Sequence, residues 1–153
     1  MLRNVIPEAL KSALKDQEKL TVSTVRLIMA ALKDRDIAVR GKGNTEGIGD
    51  DEILQMLQTM VKQRRDSIEM YEKGGRLELA EQESEEIVII ERFLPQQLGD
   101  AEIGAAVDRV IADAGAGGLK DMGKVMGALR DQYAGQMDFG KASALVKEKL
   151  GAG

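Results

Sequence analysis

The chain contains no cysteine, no histidine and no tryptophan, and only two tyrosines, two phenylalanines and two prolines. Without cysteine there is no disulfide, thiol nucleophile or thiolate zinc site. Without histidine there is no imidazole acid or base and no histidine-ligated metal. Most hydrolytic and redox machinery is thereby excluded, and neither a metal nor a cofactor is expected. Aromatic residues at 3% leave little surface for stacking on unpaired bases. No apolar run is long enough to span a bilayer, and Met1-Leu2-Arg3-Asn4, followed by Glu8, does not read as a signal peptide. The expectation is a soluble, cytoplasmic chain without a membrane partner. A net charge of −4 and a pI near 5.0 argue against a protein held on nucleic acid by bulk charge. A local basic face stays open, because steering depends on where charges sit.

What is present is helix. A chain of 153 residues can bury one full core or two small ones. Apolar residues recur at helical spacing with almost no period-two alternation, which predicts an all-α protein. Residues 2–17 carry the stripe Leu2, Ile6, Leu10 and Leu14, with Pro7 placed early, outside the helix interior. Residues 19–40 carry Val22, Val25, Met29, Leu32 and Val39, and glycine-rich 41–49 reads as a loop. Asp50-Asp51-Glu52 opens a long helix with acid where the macrodipole favours it. Its stripe is Ile53, Leu57, Met60, Ile68 and Tyr71, ending at Gly74-Gly75. An acid-rich helix over about 76–93 follows and stops at Pro95. Three shorter helices, near 100–114, 120–133 and 138–150, are separated by glycine-rich connectors. The predicted organisation is an N-terminal domain of about four helices over 1–95 and a three-helix bundle over 96–153.

Searches for chemistry return helix. Gly118 to Lys124 and Gly135 to Lys141 fit the front of a phosphate-binding loop. Val125 and Ala142 stand where the magnesium-binding hydroxyl belongs, and no strand precedes either segment. Ser12-Ala13-Leu14-Lys15 has serine–lysine spacing but lacks the other motifs that chemistry needs. The glutamates of 78–91 lack the histidines of helical di-metal sites and read as a solvated face. Charges within apolar arcs say more. Arg64 falls inside the stripe of the long helix, Arg26 lies beside Val22 and Met29, and Glu83 and Glu91 flank Ile87. Partly buried arginines need carboxylates, so Arg26 and Arg64 are expected to pair with Glu83 and Glu91 between helices.

In the C-terminal part the charge is sorted along the chain. The helix after Gly99 is acidic, and the last two are enriched in Lys120, Lys124, Arg130, Lys141, Lys147 and Lys149. Gly123 and Gly127, four apart, leave a strip without side chains on the sixth helix. Such a strip admits close approach by a partner's backbone, or by a neighbouring helix of the same bundle.

Several strings, taken in order, resemble one family. They are Arg26-Leu27-Ile28 with Ala30-Ala31-Leu32-Lys33-Asp34; Lys62-Gln63-Arg64-Arg65-Asp66-Ser67-Ile68 through Tyr71, Gly75-Arg76 and Leu79-Ala80; and Phe93-Leu94-Pro95-Gln96-Gln97-Leu98 with Glu102-Ile103. Asp121 through Leu129, Gly135 through Asp138 and Leu145 through Leu150 complete them. The chain resembles the YqeY family, whose members share a domain with GatB, a subunit of the glutamine-dependent aspartyl/glutamyl-tRNA amidotransferase. Phe93 stands where that family often has tyrosine, and Ser143 where asparagine is frequent.

The resemblance implies a larger N-terminal helical domain and a three-helix domain like the GatB tail, the part that meets tRNA. Gly123, Lys124 and Gly135 match the tail's pattern, so tRNA contact carries over onto them. Gly127, Arg130, Lys141 and Lys147 are the neighbouring candidates for backbone approach and phosphate contact. The activating and zinc-binding parts of that carbon–nitrogen ligase have no counterpart, and no catalytic residue is assigned. The expected function is a non-catalytic module binding tRNA or the amidotransferase–tRNA assembly, with other translation proteins as further partners. The alternatives are a protein–protein adaptor without RNA, and an amidotransferase acting alone, for which no glutaminase nucleophile is visible.

Overall fold

The computed structural model describes residues 1–152 and is helical throughout, with no strand among the described residues. The helices are α1 (Leu2–Lys15), α2 (Lys19–Arg40), α3 (Asp50–Lys73), α4 (Leu77–Glu91), α5 (Asp100–Ala114), α6 (Met122–Gln132) and α7 (Phe139–Ala152). A 3₁₀ turn at Leu119–Asp121 leads into α6. The chain divides into two compact units, Met1–Pro95 and the part from Gln96 onward.

In the first unit α3 and α4, joined by Gly74-Gly75, form the most extensive helix pair, and α2 packs on α4. The core gathers Ile6, Val25, Ile28, Ile53, Leu57 and Ile90. Full burial of each such side chain contributes about 1.5–3 kcal/mol. Two expectations for α1 are corrected. Leu14 is exposed and Ala13 is buried in its place, because at about 100° per residue Ala13 lies closer to the Ile6 arc. Pro7 lies inside α1, since the helix already starts at Leu2. Proline withholds the N–H that the carbonyl of Arg3 would accept, and burial of Ile6 and Ala13 offsets that loss.

The glycine-rich loop is pinned by one ionic knot. Arg3 Nη1 and Nη2 donate to Asp36 Oδ2 and Oδ1 at 2.8 and 2.6 Å, and Nη2 also donates to the carbonyl of Ile48 at 2.8 Å. Asp36 Oδ1 accepts in turn from the Ile48 N–H at 3.0 Å. α1, α2 and the loop thus meet at two charged side chains, and Ile48 is driven into the core.

In the second unit α5, α6 and α7 close around Val107, Val110, Val125, Leu129, Ala142 and Val146. Glu102 Oε1 accepts from the Gly99 N–H at 3.1 Å, satisfying a donor at the start of α5. α5 ends at Gly115 in the left-handed region, φ +63°. Met137, from the α6–α7 connector, is fully buried and anchors that turn in the core. The segment entering α5 is tied to the same connector, with the Leu98 N–H donating to the carbonyl of Gln136 at 2.7 Å.

Candidate nucleic-acid interface

α6 turns Val125, Met126 and Leu129 into the core of the second unit. Gly123, Gly127 and Arg130 follow at i, i+4 and i+7 and share an outward arc about 60° wide. A Cβ built on Gly123 or Gly127 would meet nothing within 4 Å. The strip is therefore open, and helix packing inside the unit is not what these glycines serve. Each glycine costs the helix roughly 0.5–1 kcal/mol relative to alanine. No internal contact offsets that cost.

The cations around the strip are partly engaged within the unit. Lys124 Nζ donates to the carbonyl of Ala114 at 3.1 Å, at the C-terminal end of α5 where a cation suits the helix dipole. Lys141 pairs with Asp100 at 3.3 Å, and Lys149 pairs with Asp108. The acidic α5 is thus matched by one flank of α7. Lys147 projects from the other flank, away from α5, and like Lys120 it makes no ion pair among the described residues. The Arg130 guanidinium lies 6.0 Å over the Phe139 ring, which holds it at the junction of α6 and α7. Arg109 Nη1 donates to the Tyr133 hydroxyl at 3.1 Å.

Gly135 has a different place from the one implied by resemblance. It is buried in the α6–α7 connector at φ +75°, and its carbonyl accepts from Gln97 Nε2 at 2.5 Å. Its matched position reflects a turn that needs glycine, so it is not a contact surface.

The ionic cluster of the first unit is also revised. Arg64 is inward-facing, its side chain only 13% exposed, but its close partner is Glu86, at 2.9 Å from Nε, with Glu83 farther off at 3.9 Å. Arg64 Nη1 also donates to the carbonyl of Met60 at 3.3 Å. An arc centred on Ile87 leaves Glu86 outside it. Burial of Ile89 and Ile90 as well shifts that arc toward Glu86. Burial, and then the charge of Glu86, push the Glu83 carboxyl up, against the opposing pull of Arg64. Glu91 faces Arg65 at 3.9 Å and does not reach Arg64. Arg26 is exposed and joins no ion pair among the described residues. The buried face of α2 is centred between Val25 and Ile28, which leaves Arg26 beyond its edge.

Among the described residues no group of three acidic side chains could hold a metal ion, and no helix is long and apolar enough to cross a membrane. The family model described as Yqey-like protein matches residues 3–150. The chain belongs to the YqeY family. Among similar proteins is one named Altered inheritance of mitochondria protein 41, mitochondrial, from Lachancea thermotolerans. It is 29% identical over 147 residues, which cover 92% of this chain and 74% of that protein. An uncharacterized Schizosaccharomyces pombe protein is 30% identical over 95 residues, 62% of this chain and 73% of its own length. The Kluyveromyces lactis protein bearing the same mitochondrial inheritance name is 27% identical over 111 residues, 71% of this chain and 57% of that one.

Proposed function

We propose that this YqeY-family chain is a non-catalytic module that binds tRNA, alone or within an amidotransferase–tRNA assembly, through its second unit. The observation that carries the reading is the open strip at Gly123 and Gly127. Helix glycines that serve no internal packing leave the α6 backbone approachable by a sugar–phosphate chain. Arg130 on the arc of the strip, with Lys120 in the turn before α6 and Lys147 on α7, supplies cations for phosphates. Lys141 holds Asp100 in an exposed ion pair worth only about 0–1 kcal/mol, and Lys124 holds a single hydrogen bond to the Ala114 carbonyl, so both can turn to a phosphate. Recognition would be of shape and backbone, in keeping with so few aromatic residues. The proposed setting is the cytoplasm, where translation uses tRNA.

The test is tRNA affinity of the full chain across a salt series. Binding should weaken as salt rises, and the logarithmic slope should become shallower by about 0.7–0.9 for each phosphate contact removed by Arg130→Ala or Lys147→Ala. Gly127→Leu should abolish binding while leaving the helical content unchanged. Absence of binding at low salt overturns the reading.

A further inference from the structure

A second surface lies on the first unit, between α1 and α2. Ile6, Pro7, Met29 and Leu32 floor an open groove of about 290 Å³. Pro7 places a short ring where a longer side chain would close the gap. Along α2 the groove follows residues 29, 33, 36 and 40, the i, i+4, i+7, i+11 face of one helix, for about 16 Å. Ile37 stands on its rim with 54% of its surface exposed.

The charges are one-sided. Asp36 gives both carboxylate oxygens to Arg3, and one of them also to the Ile48 N–H, so its charge is neutralised internally. Lys33 and Arg40 are exposed on the rim and make no ion pair among the described residues, though the Arg40 charge also favours the ionised Asp36. They are seven residues apart, about 10 Å along the axis, which is two turns of helix.

We propose that this groove docks an acidic amphipathic helix of a partner protein. Apolar side chains on successive turns of that helix would enter over Pro7 and Met29, and carboxylates two turns apart would meet Lys33 and Arg40. The complementarity is specific in sign, because the groove offers cations and no uncommitted carboxylate. Each unit would then have its own partner, a helix on the first and the proposed RNA on the second. The groove reading does not depend on the RNA reading.

The experiment titrates the isotopically labelled full chain with a synthetic helical peptide of about 15 residues. The peptide carries leucines at i, i+3 and i+7 with glutamates two turns apart, and a twin has lysine for each glutamate. Amide signals of Met29, Lys33, Ile37 and Arg40 should move with the acidic peptide and stay still with its twin. Lys33→Glu with Arg40→Glu should weaken binding at least tenfold, and so should Ile37→Asp, which tests the apolar contact separately. All three side chains are exposed, so an unchanged thermal transition verifies that the variants fold. The proposal is overturned by no shift at millimolar peptide, by equal binding of the twin, or by shifts away from the groove. It is equally overturned if the groove mediates self-association that Arg40→Glu abolishes, since a second copy would then be the occupant.

Discussion

Gly47 lies against the Arg3–Asp36 ion pair so closely that a Cβ on it would sit 2.5 Å from Asp36 Oδ1, and closer still to Arg3 Nη2. Its φ of +90° is a conformation that other residues adopt only under strain. Gly47→Ala must both strain the backbone and push the ion pair apart. The expected cost is about 1–3 kcal/mol, read as a lower thermal transition for the first unit. Gly43→Ala, also at positive φ but in open space, should cost less.

The same knot sets an acid limit. The hydrogen bonds from Arg3 hold the Asp36 carboxyl below its ordinary range, against an opposing effect of burial. A carboxyl lowered in the folded state adds stability that is complete above its unfolded pKa and lost as pH falls through the folded one. The first unit should therefore weaken as pH drops below the usual carboxylate range. Asp36→Asn should be less stable at neutral pH and flatter across that acid limb, as followed by denaturation at stepped pH.

Glu83 predicts the opposite slope. Its carboxyl is raised, first by burial, so the folded state holds a proton more tightly than the unfolded one. That contribution is present at low pH and is lost as pH rises from the ordinary carboxylate range through the raised value. Glu83→Gln should thus raise the melting temperature at neutral pH and remove this slope. A fall in melting temperature would show that the longer 3.9 Å approach to Arg64 outweighs desolvation.

Arg64 and Glu86 should behave as a coupled pair. Removing Arg64 leaves Glu86 buried without its counter-charge, and removing Glu86 leaves Arg64 only the more distant Glu83 at 3.9 Å. Arg64→Met alone is expected to cost roughly 1–3 kcal/mol. Adding Glu86→Leu should recover most of it, because the pair is replaced by apolar contact. A double mutant as unstable as the sum of the singles would contradict this.

On α6, Gly123→Ala and Gly127→Ala should each stabilise the second unit by about 0.5–1 kcal/mol, since the added methyl meets only open space. Urea denaturation of the two variants checks this. A loss of stability would mean that the strip is packed.

Much of the helix order was legible because its punctuation is local. Asp50-Asp51-Glu52 opens α3, Gly99 and Gly115 bracket α5, and Pro95 follows α4. Side-chain partners were less legible. Arg64 could be placed inside an arc from its own helix, but Glu86 could not be chosen over Glu83 and Glu91 until α4 was seen buried on two sides. Arg26 failed for the complementary reason, as a wheel gives angles and not the centre of the face that a neighbour covers.

Composition removed thiol and imidazole chemistry, periodicity set the all-α class, and the ordered strings from Arg26 to Leu150 carried the family. Those are properties of residue types and local spacing, which the chain states directly. Tertiary structure decided which charges are consumed and which are exposed. Lys141 and Lys149 turned to α5, Asp36 was spent on Arg3, Gly135 was buried, and Gly123 and Gly127 were left open. Such outcomes depend on groups tens of residues apart meeting in space, and no helical period encodes them.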